Sequence, residues 1–100
     1  MARSVIQSKK ECYFCKRTTG LHRHHILGGS ANRKLSEKYG FTVWLCSDHH
    51  TNGVDAIHRN PNGVYDLYLK KMCQRYYEMV FGSRFQFIKE FGRNYLDLED

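Results

Sequence analysis

The distribution of apolar and polar positions predicts two short strands in the first half of the chain. The apolar run at 41–46 is typical of a strand, and 21–26, which begins and ends on an apolar residue, predicts a second strand that pairs with it. Between them, a glycine pair allows a sharp turn, and 30–39 has helical character inside what we expect to be a long structured loop. The turn-rich segment 51–63 predicts irregular chain.

Two helices are predicted in the C-terminal part of the chain. Over 64–80, apolar residues recur at steps of three and four, which is typical of an amphipathic helix. These apolar positions are Val64, Leu67, Tyr68, Met72, Tyr76, Met79 and Val80. Gly82 is expected to end this helix, and Ser83 can cap a shorter one over 84–91 that Gly92 closes.

Length and composition favour one small domain. The chain has 100 residues, 41% of them hydrophobic, so its core is small and a covalent or metal staple would help it. We expect a single domain over 1–100, with flexible ends at 1–10 and 96–100. The sequence has neither an apolar run long enough for a membrane span nor a signal-peptide pattern, so we expect a cytoplasmic protein without a membrane partner.

Four cysteines and one histidine suggest what the staple is. Because a reducing compartment keeps thiols free, the Cys-x-x-Cys pair in ECYFCKRTTG is more typical of zinc than of a disulfide. The end of the second strand repeats the spacing with a cysteine and a histidine. The sequence therefore predicts a structural Zn²⁺ held by Cys12, Cys15, Cys46 and His49. Cys73, inside an apolar helical stretch, is expected to be a core residue.

The remaining histidines form a second group of candidate site residues. His24 and His25 end the first strand, His50 follows the last zinc ligand, and His58 lies in the turn-rich segment. Side chains of a strand alternate between its two faces, so His24 and His25 are expected to have different roles. His22 shares the face of His24, but the sequence assigns it no role.

The combined motifs resemble the HNH endonuclease family. Cys-x-x-Cys, LHRHHI, a glycine-containing loop, a strand ending in LC, and SDHH are similar to its zinc-stapled ββα-metal type, found in small proteins of bacteria and their phages. This resemblance implies an α+β fold with a treble-clef-like ββα-metal core, a β-hairpin and C-terminal helices. It also implies a metal-dependent enzyme that hydrolyses phosphodiester bonds of DNA in the cytoplasm, which is that of the bacterial host cell if the protein is phage-encoded.

The resemblance also implies roles for individual histidines. His24 and His50 would bind the catalytic ion, and His25 would be the general base that activates water. The third ligand departs from the family spacing, since the expected position is Val54; His58 is the nearest histidine, and Asp55 is the alternative. The ion could be Mg²⁺, or Mn²⁺, Ni²⁺ or Zn²⁺, which suit imidazole better.

The position of the family's asparagine is a second departure from the pattern. The motif normally has an asparagine just before the second strand, where this chain has Gly40 and Phe41. Asn32, in the connecting loop, is the candidate for the same structural role of fixing that loop.

Charge is consistent with a nucleic-acid partner. Sixteen Lys and Arg against ten Asp and Glu give a net charge of +6, which favours an anionic partner, although excess charge also aids solubility. The basic residues near the histidines are candidate phosphate contacts: Arg23, Arg33, Lys34, Lys38 and Arg59. We expect Trp44 and the helical tyrosines to be core residues rather than base-stacking platforms.

Several alternatives stay open at the level of sequence. The substrate could be DNA or RNA, one strand or both could be cut, and the oligomeric state is undetermined. The competing function is a zinc-knuckle module that binds nucleic acid or a protein partner without catalysis, its histidines being structural.

Overall fold

The structure, a computed structural model, describes residues 3–97 and contains a two-stranded antiparallel sheet. Strand β1 spans Leu21–His25 and strand β2 spans Thr42–Cys46. Each is one residue shorter than predicted, but the N–H of Ile26 still donates to the carbonyl of Phe41 at 3.0 Å. The two apolar runs therefore pair as expected.

The sheet has two chemically distinct faces because of its register. His24 lies opposite Val43 and His22 opposite Leu45, so the face that carries these two histidines also carries buried aliphatic side chains. Arg23 lies opposite Trp44 on the other face. The alternation separates His24 from His25, as the sequence predicts.

The segment between the strands contains a regular helix, α1, over Ser30–Tyr39. It ends at Gly40, whose φ of 77° is the left-handed conformation that favours glycine. A Cβ at this position would lie 2.2 Å from the carbonyl oxygen of Arg3, so glycine is also required by close backbone contact. The helical character of 30–39 is confirmed, and it is the dominant feature of the loop.

Two short helical turns follow β2. A five-residue π-helical turn, Asp48–Asn52, carries His49 and His50, and a 3₁₀ turn, Ile57–Arg59, carries His58. Gly53 leaves the first turn in an extended conformation, so the chain between them loops instead of continuing as a helix.

Two helices complete the fold: α2 over Val64–Val80 and α3 over Arg84–Phe91. Both match the predicted bounds. Ser83 begins α3 with a capping box, in which its hydroxyl accepts from the N–H of Gln86 and the Gln86 side chain accepts from the N–H of Ser83.

The buried face of α2 differs from the apolar stripe in the sequence. Leu69, Cys73 and Tyr77 form the buried stripe, at steps of four residues. Val64 and Met79, in contrast, are 83% and 79% exposed. The helix has apolar residues on more than one side, so periodicity alone did not identify its inner face. Cys73 is a core residue, as predicted.

Residues near both ends of the described chain contact the rest of the fold. The Ser4 hydroxyl donates to the carbonyl of Thr42 at 2.5 Å, and the N–H of Val5 donates to the carbonyl of Gly40 at 2.9 Å. Leu96 is buried near the other end. Ser4, Val5 and Leu96 thus contact the rest of the fold; the flexibility expected at 1–10 and 96–100 stays a prediction, and 1–2 and 98–100 lie outside the described residues.

The fold is a small α+β domain, as the sequence predicts at this level. Its core joins the buried residues of the sheet, α2 and α3, with Phe41 and Phe87 as the largest fully buried side chains. Among residues 3–97, no helix combines the length and apolar character that crossing a bilayer requires.

Candidate metal centres

The predicted zinc ligands converge from two separate parts of the chain. Cys12 and Cys15 lie in a turn that is closed by a hydrogen bond from the N–H of Cys12 to the carbonyl of Arg17. Cys46 ends β2, and His49 lies in the π-helical turn directly after it. One ligand atom from each residue lies within 4.8 Å of the other three.

Distances in this group match those of a tetrahedral zinc site. The sulfurs of Cys15 and Cys46 are 3.7 Å apart, and His49 Nδ1 lies 3.7 Å from the sulfur of Cys12. A tetrahedral Zn²⁺ with Zn–S bonds of about 2.3 Å and a Zn–N bond of about 2.1 Å separates its ligands by about 3.5 to 3.8 Å. His49 Nδ1 is somewhat closer to the sulfur of Cys46, at 3.2 Å. The Cys3His group is compatible with a structural zinc ion.

Electrostatics at the sulfurs also favour a cation. Burial acts to raise the pKa of the Cys12 thiol, but backbone N–H groups of Cys46, Cys15 and Phe14 outweigh it and lower the pKa to about 6. At Cys15 the N–H of Arg17 favours the thiolate, yet burial and the two neighbouring sulfurs prevail, and the pKa is raised. A thiolate at Cys12 therefore disfavours ionisation of the neighbouring Cys15 thiol, unless a bound cation neutralises the negative charge.

Three histidines form a second group of donors. His24 comes from β1, His50 from the π-helical turn and His58 from the 3₁₀ turn, and their donor atoms lie within 4.8 Å of one another. The ring centres of His24 are 5.4 Å from His50 and 5.3 Å from His58. His50 Nε2 and His58 Nε2 are 3.0 Å apart. The structure brings together the histidines that the sequence singled out as ligands.

One atom of this group has an unusual environment. His24 is only 4% exposed, and its Nε2 is buried without a hydrogen-bond partner among residues 3–97. An unsatisfied buried nitrogen costs about 1–3 kcal/mol, so native structures rarely keep one without a reason. An ion bound to this nitrogen would remove the cost.

The protonation state of the group also fits metal binding. Burial, with the neighbouring His50 and His58, lowers the pKa of His24 to about 3. Burial, with His58 and His22, lowers the pKa of His50 to about 4. Both rings are therefore neutral at neutral pH, and only a neutral imidazole has a lone pair to give to an ion.

Asp55, the alternative third ligand, is placed elsewhere. It is exposed and lines a separate cavity of about 460 Å³ together with Asn60 and Tyr65. Among the described residues it belongs to neither donor group. The loop after His50 thus presents His58, and not Asp55, to the other two histidines.

His25 lies beside the three histidines with a different partner. Its Nε2 is 2.8 Å from Oε2 of Glu37, and Arg23 Nη2 lies 3.1 Å from the other oxygen of the same carboxylate. Burial acts to raise the pKa of Glu37, but the His25 hydrogen bond and the Arg23 charge outweigh it and lower the pKa below its usual value. Glu37 therefore stays ionised and fixes the His25 ring.

A cleft of about 270 Å³ contains these side chains. We call it the histidine cleft; the residues that line it include Arg23, His24, His25, Arg33, His50 and His58. An adjoining cavity of about 230 Å³ adds Lys70, which is ion-paired with the buried Asp66 at 2.8 Å.

The basic candidates are placed unequally around this cleft. Arg23 and the exposed Arg33 line it, whereas Lys34 is exposed on α1 and Lys38 lies over the ring of Tyr39. Arg59 donates to the carbonyl of Asn52 beside the two helical turns. Arg33 is therefore the best-placed candidate for a phosphate contact.

Asn32 does not fix the loop that follows the histidine pair. Its amide donates instead to the carbonyl of Phe91 at 3.1 Å, which ties α1 to the end of α3. The loop is fixed by the fully buried Ser36, whose hydroxyl accepts from the N–H of Leu27 and donates to the carbonyl of the same residue.

Sequence reasoning missed four residues near the cleft: His22, Ser36, Glu37 and Lys70. Ser36 and Glu37 lie on α1, which the sequence placed inside a long structured loop, and Lys70 lies on α2 outside the apolar positions that the sequence singled out. The one available signal concerned His22, because it shares the face of His24 in β1.

Comparisons with known proteins do not assign the chain. Searches of protein-family models, of curated proteins and of solved structures gave no match. The function is therefore argued from the two donor groups and the cleft.

Proposed function

We propose that this protein is a metal-dependent endonuclease of the HNH type that hydrolyses phosphodiester bonds of DNA. The observation that carries the proposal is the histidine cleft. There the imidazoles of His24, His50 and His58 converge, and the ring of His25 beside them is held by the carboxylate of Glu37. The order of two antiparallel strands and a helical turn, with a Cys3His group at their junction, supports the ββα-metal core that the resemblance implies.

His24, His50 and His58 are the proposed ligands of the catalytic ion. When bound, a divalent ion supplies positive charge that polarises the scissile phosphate and offsets charge on the departing oxygen. His50 Nε2 and His58 Nε2 lie 3.0 Å apart, so both would be able to hold the same ion, and Mn²⁺, Ni²⁺ or Zn²⁺ would suit imidazole ligands better than Mg²⁺.

His25 is the proposed general base. Its Nε2 is engaged by Glu37, so the proton of the neutral ring resides there and Nδ1 keeps the lone pair that accepts a proton from water. Glu37 holds this tautomer and stabilises the imidazolium that forms. Arg23 keeps the carboxylate in place from its other oxygen.

Phosphate binding is assigned to the basic rim of the cleft. Arg33 lines the cleft and is exposed, so it can meet an incoming phosphate without breaking a buried contact. The net charge of +6 supports association with a polyanion.

Conversion of supercoiled plasmid DNA tests the proposal. Zinc-loaded protein is incubated with Mg²⁺, Mn²⁺ or EDTA, alongside His25→Ala and His24→Ala variants of checked zinc content and circular dichroism. We expect metal-dependent conversion that EDTA abolishes, and a loss of about 10²- to 10⁴-fold in rate for His25→Ala.

The products also decide between the alternatives. Open circles show that one strand is cut, and linear DNA shows that both are. Binding of DNA without conversion under every metal would contradict the proposal and favour a non-catalytic zinc module. Conversion that His25→Ala leaves unchanged would exclude His25 as the base.

A further inference from the structure

His22, which the proposed mechanism does not use, touches a proposed metal ligand. Its Nδ1 lies 2.9 Å from Nδ1 of His50, and the two rings meet edge to face with centres 5.0 Å apart. His22 is exposed on the same face of β1 as His24, and among the described residues it is outside the three-donor group. It is therefore a neighbour of the group and not a member of it.

We infer that His22 is a positioning residue that accepts a hydrogen bond from Nδ1–H of His50 and thereby presents Nε2 of His50 to a divalent cation. This inference rests on the metal site of the proposed function. It extends that proposal because it assigns the histidine for which the sequence offered no role.

The two nitrogens of His50 have different neighbours, which is the basis of the inference. Nε2 approaches Nε2 of His58 at 3.0 Å, and Nδ1 approaches Nδ1 of His22. A neutral imidazole carries one proton, so a lone pair at Nε2 requires the proton at Nδ1. Nδ1 of His22 can accept a hydrogen bond from that N–H while His22 keeps its own proton on Nε2.

Metal binding and the His22 contact therefore select the same tautomer of His50. Histidine ligands commonly donate their second ring N–H to a fixed acceptor, and loss of such a partner lowers metal affinity by about 10- to 100-fold. Without His22, an N–H at Nδ1 of His50 loses the acceptor that β1 supplies. The tautomer with the proton on Nε2, which can donate a hydrogen bond to His58, then competes with metal binding at Nε2.

Mn²⁺ binding by the zinc-loaded full chain tests the inference, with His22→Leu and His22→Asn as a matched pair. Leucine fills similar space without an acceptor, whereas the Oδ1 of asparagine can take the place of Nδ1. Titration is followed by the electron paramagnetic resonance of free Mn²⁺. We expect His22→Leu to weaken binding by about 10- to 100-fold and His22→Asn to restore it to within about threefold of wild type.

A second measurement reads the tautomer of His50 before Mn²⁺ is added. Long-range ¹H–¹⁵N spectra of zinc-loaded protein should show His50 protonated at Nδ1 in the wild type and at Nε2 in His22→Leu. An unchanged tautomer, or equal Mn²⁺ affinity in wild type and His22→Leu, would overturn the inference. Equal weakening in both variants would also overturn it, because asparagine keeps the acceptor.

The outcomes separate this inference from the proposed function. If His24→Ala abolishes Mn²⁺ binding and plasmid is cut, but His22→Leu behaves as wild type, only the role of His22 fails. If Mn²⁺ binds and depends on His22 but plasmid stays intact, only the nuclease proposal fails. Wild-type protein that does not bind Mn²⁺ would overturn the inference about His22, whereas the nuclease proposal would still be decided by plasmid conversion with Mg²⁺.

Discussion

Replacement of Cys46 by serine is expected to unfold the domain through loss of the structural zinc. Cys46 is 1% exposed and lies 3.7 Å from the sulfur of Cys15 and 3.2 Å from His49 Nδ1, so its removal opens the proposed coordination shell. A bound ion would join the turn at Cys12 to the end of β2, where the N–H of Tyr13 also donates to the carbonyl of Trp44 at 2.9 Å.

The expected magnitude follows from two free energies. A structural Zn²⁺ contributes about 10–16 kcal/mol of apparent binding free energy at pH 7. A domain of this length has a total free energy of unfolding of about 5–15 kcal/mol. Loss of the ion therefore removes as much free energy as the whole fold has in reserve, and Cys46→Ser should be unfolded at 25 °C.

Cys73→Ser is the matched control for this experiment. Cys73 is also fully buried, and burial raises the pKa of its thiol, so it stays a neutral thiol in the core. The same change from sulfur to oxygen should cost about 1–3 kcal/mol there and leave zinc in place. Zinc content by mass spectrometry and far-ultraviolet circular dichroism distinguish the two variants. A folded Cys46→Ser variant that retains one zinc ion per chain would refute the zinc assignment.

Three further substitutions test the surroundings of the histidine cleft and the cap of α3. Ser36→Ala should lower the free energy of unfolding by about 2–4 kcal/mol in urea titrations, because it leaves the N–H and the carbonyl of Leu27 without their buried partner. A change below about 0.5 kcal/mol, which is typical of substitutions at exposed sites, would contradict this. Glu37→Gln should lower the plasmid cleavage rate by about 10- to 100-fold and leave the zinc content unchanged. This factor corresponds to the loss of a charged hydrogen bond to His25, which contributes about 1.5–3 kcal/mol. The lowered pKa of Glu37 also predicts that its stabilising effect is present above pH 4.5 and is lost as pH falls below it, so Glu37→Gln should flatten the acid side of the stability profile; an unaltered profile would count against the ion pair. Ser83→Ala should cost about 1 kcal/mol through loss of the α3 cap, measured as a lower Tm without any effect on cleavage.

Local signals made most of the secondary structure predictable. Gly40 and Gly92 end helices in the left-handed conformation that glycine adopts most easily, and Ser83 begins one with a side-chain cap. These effects involve residues within one turn of each other, so the sequence displays them directly. The inner face of α2 was not predictable in this way, because it depends on how the helix packs into the core that it shares with α3 and the sheet.

The donor groups were predictable for a related reason. Metal ligation restricts spacing, and Cys-x-x-Cys followed by a Cys and His two residues apart is a pattern that few other functions require. Alternation along β1 likewise separates His24 from His25 on the basis of sequence alone. The sequence left His58 and Asp55 as alternatives because the path of the chain between Gly53 and the 3₁₀ turn is irregular.

By itself, the sequence determined the elements, the members of the Cys3His group and the opposite facing of His24 and His25, since periodicity and ligand spacing act over a few residues. Only the tertiary structure decided which groups hold those histidines. Glu37 reaches His25 across 12 residues, and His22 reaches His50 across 28. Such contacts depend on how a helix and a loop pack against the sheet, and a pattern along the chain carries no distance between elements that meet only after folding.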